Sequence, residues 1–140
     1  MKKLTTMIAC LLLLAHGEAF AQEGGKHKKG HKADALMQRL HDMMPMYGVA
    51  LSKLETALEK GDPAAVETEA GKMLATTPDL KKAKPHKNAK QLNKFKSIAA
   101  GFESELKQTV ELARTGDFNK AKAAFKKAED KCAECHALFR

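Results

Sequence analysis

Only three cysteines occur among the 140 residues, and the single Cys-x-x-Cys at Cys132 and Cys135 has no second copy. A structural zinc site needs four ligands, so that reading lacks half its donors. No segment alternates apolar and polar side chains between turn signals, so no sheet is expected. A thioredoxin-type dithiol, which needs a βαβ setting, is excluded with it. Long apolar runs are missing too. The stretch from about Met7 to Ala15 is less than half of the roughly 20 residues that cross a bilayer.

That short run has the setting of an export signal. Lys2 and Lys3 precede it, and Ala19-Phe20-Ala21 offers a small-x-small cleavage pattern. Residues 1–21 are expected to be a signal peptide, cleaved after Ala21, that sends the chain to the periplasm. A lipoprotein anchored at Cys10 fits less well, because hydrophobic sequence continues through Leu14. Cleavage leaves 119 residues, enough for one domain with a modest core. Losing Lys2, Lys3 and Glu18 lowers the formal charge from +8 to +7. Export argues against nucleic acid as the partner of this basic surface, which leaves an anionic membrane or an acidic protein.

Residues 22–32 contain no apolar side chain and read as a flexible basic leader. His27 and His31 within it could catch a metal ion loosely, but a solvated tail is the expectation for an unstructured pair. From residue 33 to residue 140 the apolar period is helical. A first helix is expected from about Ala33 to Lys60, with Met37, Leu40, Met44, Tyr47, Leu51, Leu54 and Leu58 along one stripe. Gly61-Asp62-Pro63 ends it, and a second helix follows from about Pro63 to Thr76 with Val66, Ala70 and Met73 on one side. Pro78 and Pro85 bracket an expected basic loop, Lys81-Lys82-Ala83-Lys84. A third helix, about Asn88 to Thr115, carries Leu92, Phe95, Ala99, Phe102, Leu106, Val110 and Ala113. Asp117 caps the last, which carries Phe118, Ala121, Phe125, Ala128, Cys132, Cys135 and Phe139. The expected fold is all-α, an up-down-up-down antiparallel four-helix bundle. Pro45 removes one backbone hydrogen bond inside the first helix and predicts a kink near His41.

Cys132-Ala133-Glu134-Cys135-His136 has the C-x-x-C-H spacing of c-type haem attachment. Each thiol adds to one vinyl group, so the two sulfurs must meet neighbouring edges of one flat ring. Helix positions i, i+3 and i+4 share a face, which brings both sulfurs and the His136 imidazole to the same side. Histidine is a standard proximal haem ligand. A Cys132–Cys135 disulfide is the main rival, and two residues three apart on a regular helix are poorly placed for one.

A C-x-x-C-H motif four residues from the chain end, on the last of four helices, resembles the class II c-type cytochromes, cytochrome c prime and its low-spin relatives. The ending Ala137-Leu138-Phe139-Arg140 is similar to the family's aromatic and basic close, and Gly116-Asp117 precedes His136 by a similar helix length. The resemblance implies one covalent haem c with its iron and a possible homodimer through the first two helices; with no distal His-plus-Arg pair in the sequence, no enzyme activity is expected. It also implies a second axial position on the first helix. Low-spin members place a methionine there and transfer electrons, while cytochrome c prime leaves the position open to gases such as nitric oxide.

Here the first helix offers Met37, His41, Met43, Met44 and Met46. His136 lies 20 residues beyond Gly116, roughly 30 Å at 1.5 Å per residue. Met44, 17 residues before Gly61, sits at a matching height and on the inward stripe. Met37 and His41 are the alternatives, and Met43 and Met46 fall off the stripe. The family's basic residue one turn earlier is replaced by Leu40, so other cations must meet the haem propionates. The expected function is a one-electron carrier with His136 and Met44 on iron; the alternative is a five-coordinate, gas-binding haem protein. A peroxidase lacks its distal His-plus-Arg pair. Lys81, Lys82, Lys84, Lys87, Lys90, Lys94 and Lys96 form the face that would meet an acidic redox partner.

Overall fold

The computed structural model describes residues 35–140. The signal, Cys10, the leader with His27 and His31, and the proposed start of the first helix at Ala33 lie outside the described residues, as does the side chain of Met37. The described part is all-helical: α1 (Ala35–Lys60), α2 (Pro63–Leu74), α3 (Thr77–Lys82), α4 (Leu92–Arg114) and α5 (Phe118–Phe139). One 3₁₀ turn, Ala89–Gln91, leads into α4. No described helix is long and apolar enough to cross a membrane.

The four long helices form the expected bundle. α1 packs on α2, α2 on α4 and α4 on α5, whereas α1 and α5 meet only sparsely. Left-handed glycines make the sharp turns at one end, Gly61 at φ 67° and Gly116 at φ 81°. A Cβ on Gly61 would lie 3.7 Å from the Phe118 ring, so the α1–α2 and α4–α5 turns share that end of the bundle. Asp62 and Asp117 cap the following helices, their carboxylates accepting from the Ala65 and Lys120 amides at 3.0 and 3.1 Å.

Burial follows the apolar periods, with one refinement on α1. Val66, Ala70 and Met73 of α2, then Phe95, Ala99, Phe102, Leu106, Val110 and Ala113 of α4, are all buried. On α1 the buried residues are Met43, Tyr47, Ala50, Leu54 and Ala57, spaced 4, 3, 4 and 3, together with Leu58. Leu40, Met44 and Leu51 are half-buried and lie one step around the helix. Met43 is therefore a core residue, and Met46 is half-buried against that core, although neither belongs to the simple stripe. One sequence period spans two faces here, because apolar side chains answer equally to a neighbouring helix and to an apolar cavity. α1 runs unbroken past Pro45, which is exposed.

The expected basic loop is a correction. Thr77–Lys82 forms a short helix, with Pro78 in its first turn, Asp79 at the positive end and Lys81 and Lys82 at the negative end. Thr77, Leu80 and Ala83 are buried and hold it against the core. The flanking prolines obscure six helical residues that carry all three start and stop signals.

Four contacts brace this corner. The Tyr47 hydroxyl reaches the Met73 carbonyl at 3.3 Å and the Thr76 hydroxyl at 2.9 Å. Arg39 pairs with Asp79 at 3.2 Å. The Tyr47 ring stacks on Phe102, centroids 5.6 Å apart. Burial raises the Tyr47 pKa, partly offset by the Thr76 bond. Tyr47→Phe removes only the hydroxyl, and Thr76 keeps its own bond to Met73. The expected loss is about 0.5–1.5 kcal/mol by urea unfolding, with unchanged helicity.

Candidate functional site

The sparse α1–α5 edge is where the chemistry-bearing residues collect. A cavity of about 560 Å³ lies there, backed by α4 and closed at one end by the segment from α3 to His86. α5 contributes Cys132, Cys135 and His136 to its wall, and α1 contributes Met44 and His41 from the facing side. Phe95, Phe102 and Phe139 supply much of its apolar lining.

α5 builds the motif wall through a change in environment along its length. Ala121, Ala124, Phe125 and Ala128 are buried against the bundle, whereas Cys132, Cys135 and Phe139 continue the same face but are only partly buried. Phe95 and Phe139 meet edge to face at 5.2 Å. Glu134, inside the motif, is held by Lys94 of α4 and by Lys131 at 3.3 Å. These two ammonium groups hold its carboxyl below the ordinary carboxylate range. Together the contacts set the rotation of α5 and aim Cys132, Cys135 and His136 together.

The two thiols are free and not bonded to each other, as i and i+3 helix positions require. Burial pushes Cys132 up to about 11, with Cys135 and Glu129 adding smaller repulsions. Burial raises Cys135 as well, followed by Glu134. Both sulfurs are therefore neutral thiols at pH 7.

Of the first-helix candidates, the cavity takes Met44 and His41. Met43 points into the core instead. Gly48, one turn beyond Met44, also lines the cavity, and a Cβ there would meet nothing within 4 Å. A mid-helix glycine costs about 0.5–1 kcal/mol relative to alanine, and here it leaves room for a flat group against the α1 backbone. Volume and donor chemistry agree with this. Small-molecule and cofactor sites run about 300–1,000 Å³ with mostly apolar walls and a few fixed polar groups. Two thiols and an imidazole on one wall, facing a thioether, fit a haem. Lys131 and Arg140 reach the same cavity, so cations for propionates exist away from Leu40.

His86 is a lining residue that sequence periodicity could not find. It lies on the connection after α3, beside buried Pro85, with no helical repeat to place it. Its only advance signal is chemical, an imidazole next to a proline in a short basic connection.

Without haem, folded chain should react slowly with iodoacetamide at pH 8 at Cys132, and rapidly once denatured. Because the folded thiol titrates near 11 against an ordinary 9.0, the folded state holds the proton longer. Stability of the haem-free chain is then full below pH 9 and falls as pH rises from 9 towards 11. Urea midpoints across that window, compared with Cys132→Ala, check the sign.

Residues 79–140 match the family model described as Cytochrome C'. The match covers under half of the chain: most of α3, all of α4 and α5, and Cys132, Cys135 and His136, but not α1 with Met44. Searches of curated proteins and of solved structures returned no match. The chain is thus similar to cytochrome c prime over the half that bears the haem motif, which supports a class II c-type cytochrome.

Proposed function

We infer that this chain is an exported mono-haem c-type cytochrome working as a one-electron carrier in the periplasm. The observation that carries the reading is the convergence of Cys132, Cys135 and His136 with Met44 on one apolar cavity. Cys132 and Cys135 hold the haem as thioethers, and His136 supplies the proximal nitrogen. Met44 supplies the distal sulfur, favoured over His41 because it is half-buried where His41 is exposed. The bound haem would supply a one-electron iron couple, and a thioether ligand raises its potential relative to two imidazoles. The surrounding Phe and Leu side chains keep water away, which tunes the same couple. His136 is exposed at the end of α5, so the cavity edge meets solvent where a partner can approach.

The lysine face supports an acidic redox partner in a sharpened form. Lys81 is neutralised by Glu103 and Lys94 by Glu134. Lys82, Lys84, Lys87, Lys90 and Lys96 have no carboxylate partner among the described residues. Lys82, Lys84, Lys87 and Lys90 lie on or next to the α3-to-α4 connection that includes the cavity residues Pro85 and His86, and Lys96 follows on α4. Such a field steers an encounter and fades with salt.

Visible spectra of oxidised and reduced protein test the ligands. Sharp low-spin bands indifferent to carbon monoxide are expected, with a methionine-to-iron charge-transfer band that Met44→Ala removes. Survival of that band overturns Met44, and ready carbon monoxide binding by the unaltered protein favours the gas-binding reading. For the lysine face, Lys84→Glu, Lys87→Glu and Lys90→Glu together should slow oxidation by anionic ferricyanide several-fold at low salt. Reversing Lys122 and Lys127 on α5 should not.

A further inference from the structure

The Met44 assignment leaves His41 and His86 without a task, although both line the mouth of the cavity. They come from different elements, 45 positions apart in sequence, and are both exposed. Their rings stand edge to face, centroids 6.4 Å apart. Neither imidazole has a hydrogen-bond partner among the described residues.

The placement of His86 is built rather than incidental. Pro85 before it is buried, which anchors the backbone at a fixed φ. Asn88 after it is left-handed at φ 55°, sparsely populated for a side-chain-bearing residue. That residue is held by its side-chain amide, which donates to the Leu138 carbonyl at 2.6 Å, and Lys87 donates to the Arg140 carbonyl at 3.0 Å. On the α1 side, Arg39–Asp79 ties the turn before His41 to α3. A short segment fastened at both ends thus presents one imidazole to another.

We propose that His41 and His86 form a two-histidine site for a borderline transition-metal dication, zinc or copper, at the mouth of the haem cavity. Metal–nitrogen bonds are about 2.0–2.1 Å, which puts two imidazoles sharing one tetrahedral ion roughly 5–6 Å apart at their centres. The observed 6.4 Å closes to that by side-chain rotation, free at two exposed residues. Imidazole selects zinc, copper and nickel, whereas calcium and magnesium require oxygen ligands. Asp42, next to His41 in sequence, accepts from Gln38, and Asp79 pairs with Arg39. Water fills the remaining positions, so the ion is exchangeable and not structural. Bound there, it adds positive charge beside the haem and raises the reduction potential.

The test uses full-length haem-loaded protein in which His27 and His31 are replaced by alanine, so the leader cannot bind metal. Calorimetric titration with zinc should show one ion per chain, with magnesium giving no binding. His41→Ala or His86→Ala should each weaken zinc binding at least tenfold, with the visible spectrum unchanged. One equivalent of zinc should raise the reduction potential, and neither variant should respond. No zinc binding, or binding unchanged in His86→Ala, overturns the proposal. So does a changed low-spin spectrum in His41→Ala, which would put His41 on iron instead. If Met44 fails as the iron ligand and His41 is not its replacement, the zinc titration still reports on the site, so the two readings fail separately.

Discussion

The packing of α5 on α4 is the constraint from which the rest of this structure follows. Small alanines at Ala121, Ala124 and Ala128 bring the two helices close, and Phe125 fills the space between them. Farther along, Phe95 against Phe139 and Lys94 against Glu134 continue the contact to the chain end. A helix gripped along one side cannot rotate, so the azimuth of Cys132, Cys135 and His136 is determined before anything binds them. Preorganisation of this kind matters for a covalently held ring, because both sulfurs and the imidazole must address one plane together.

The opposite wall is fixed by different means. α1 barely touches α5, yet its height and rotation are set through α2, through the α3 corner and through Tyr47. The core series from Met43 to Ala57 faces the bundle interior, which turns Leu40, Met44 and Leu51 towards the cavity. Gly48 opens the space that a larger residue would fill. The cavity is thus held between two walls that are each anchored elsewhere, and this allows a large flat group without disturbing the bundle. The α3-to-α4 connection closes the end and brings basic residues and His86 to its edge. The cavity edge and a group of lysines without carboxylate partners among the described side chains thus lie close together.

Much of this was legible in the residues alone. The four long helices, their turn positions, the Asp62 and Asp117 caps and the inward faces of α2, α4 and α5 follow from apolar period and capping chemistry, which are local. The C-x-x-C-H spacing is local as well, since positions i, i+3 and i+4 share a face on any helix. Even the height of Met44 relative to His136 could be counted, because helices rise uniformly and both turns lie at one end. The α3 helix was hidden by its prolines, and it is the burial of Leu80 and Ala83 that makes six residues helical.

The sequence by itself determined that a thiol–thiol–imidazole face would end a four-helix chain, because that arrangement depends on helix geometry alone. Which methionine faces that motif was decided only by tertiary structure. Met43 and Met44 are neighbours with equal apolar character, and only the packing of α1 on α2 and α3 sends one to the core and the other to the cavity. His86 belongs to the same class. Its approach to His41 arises from ties at Pro85, Asn88 and the end of α5, contacts between distant parts of the chain that no local pattern records.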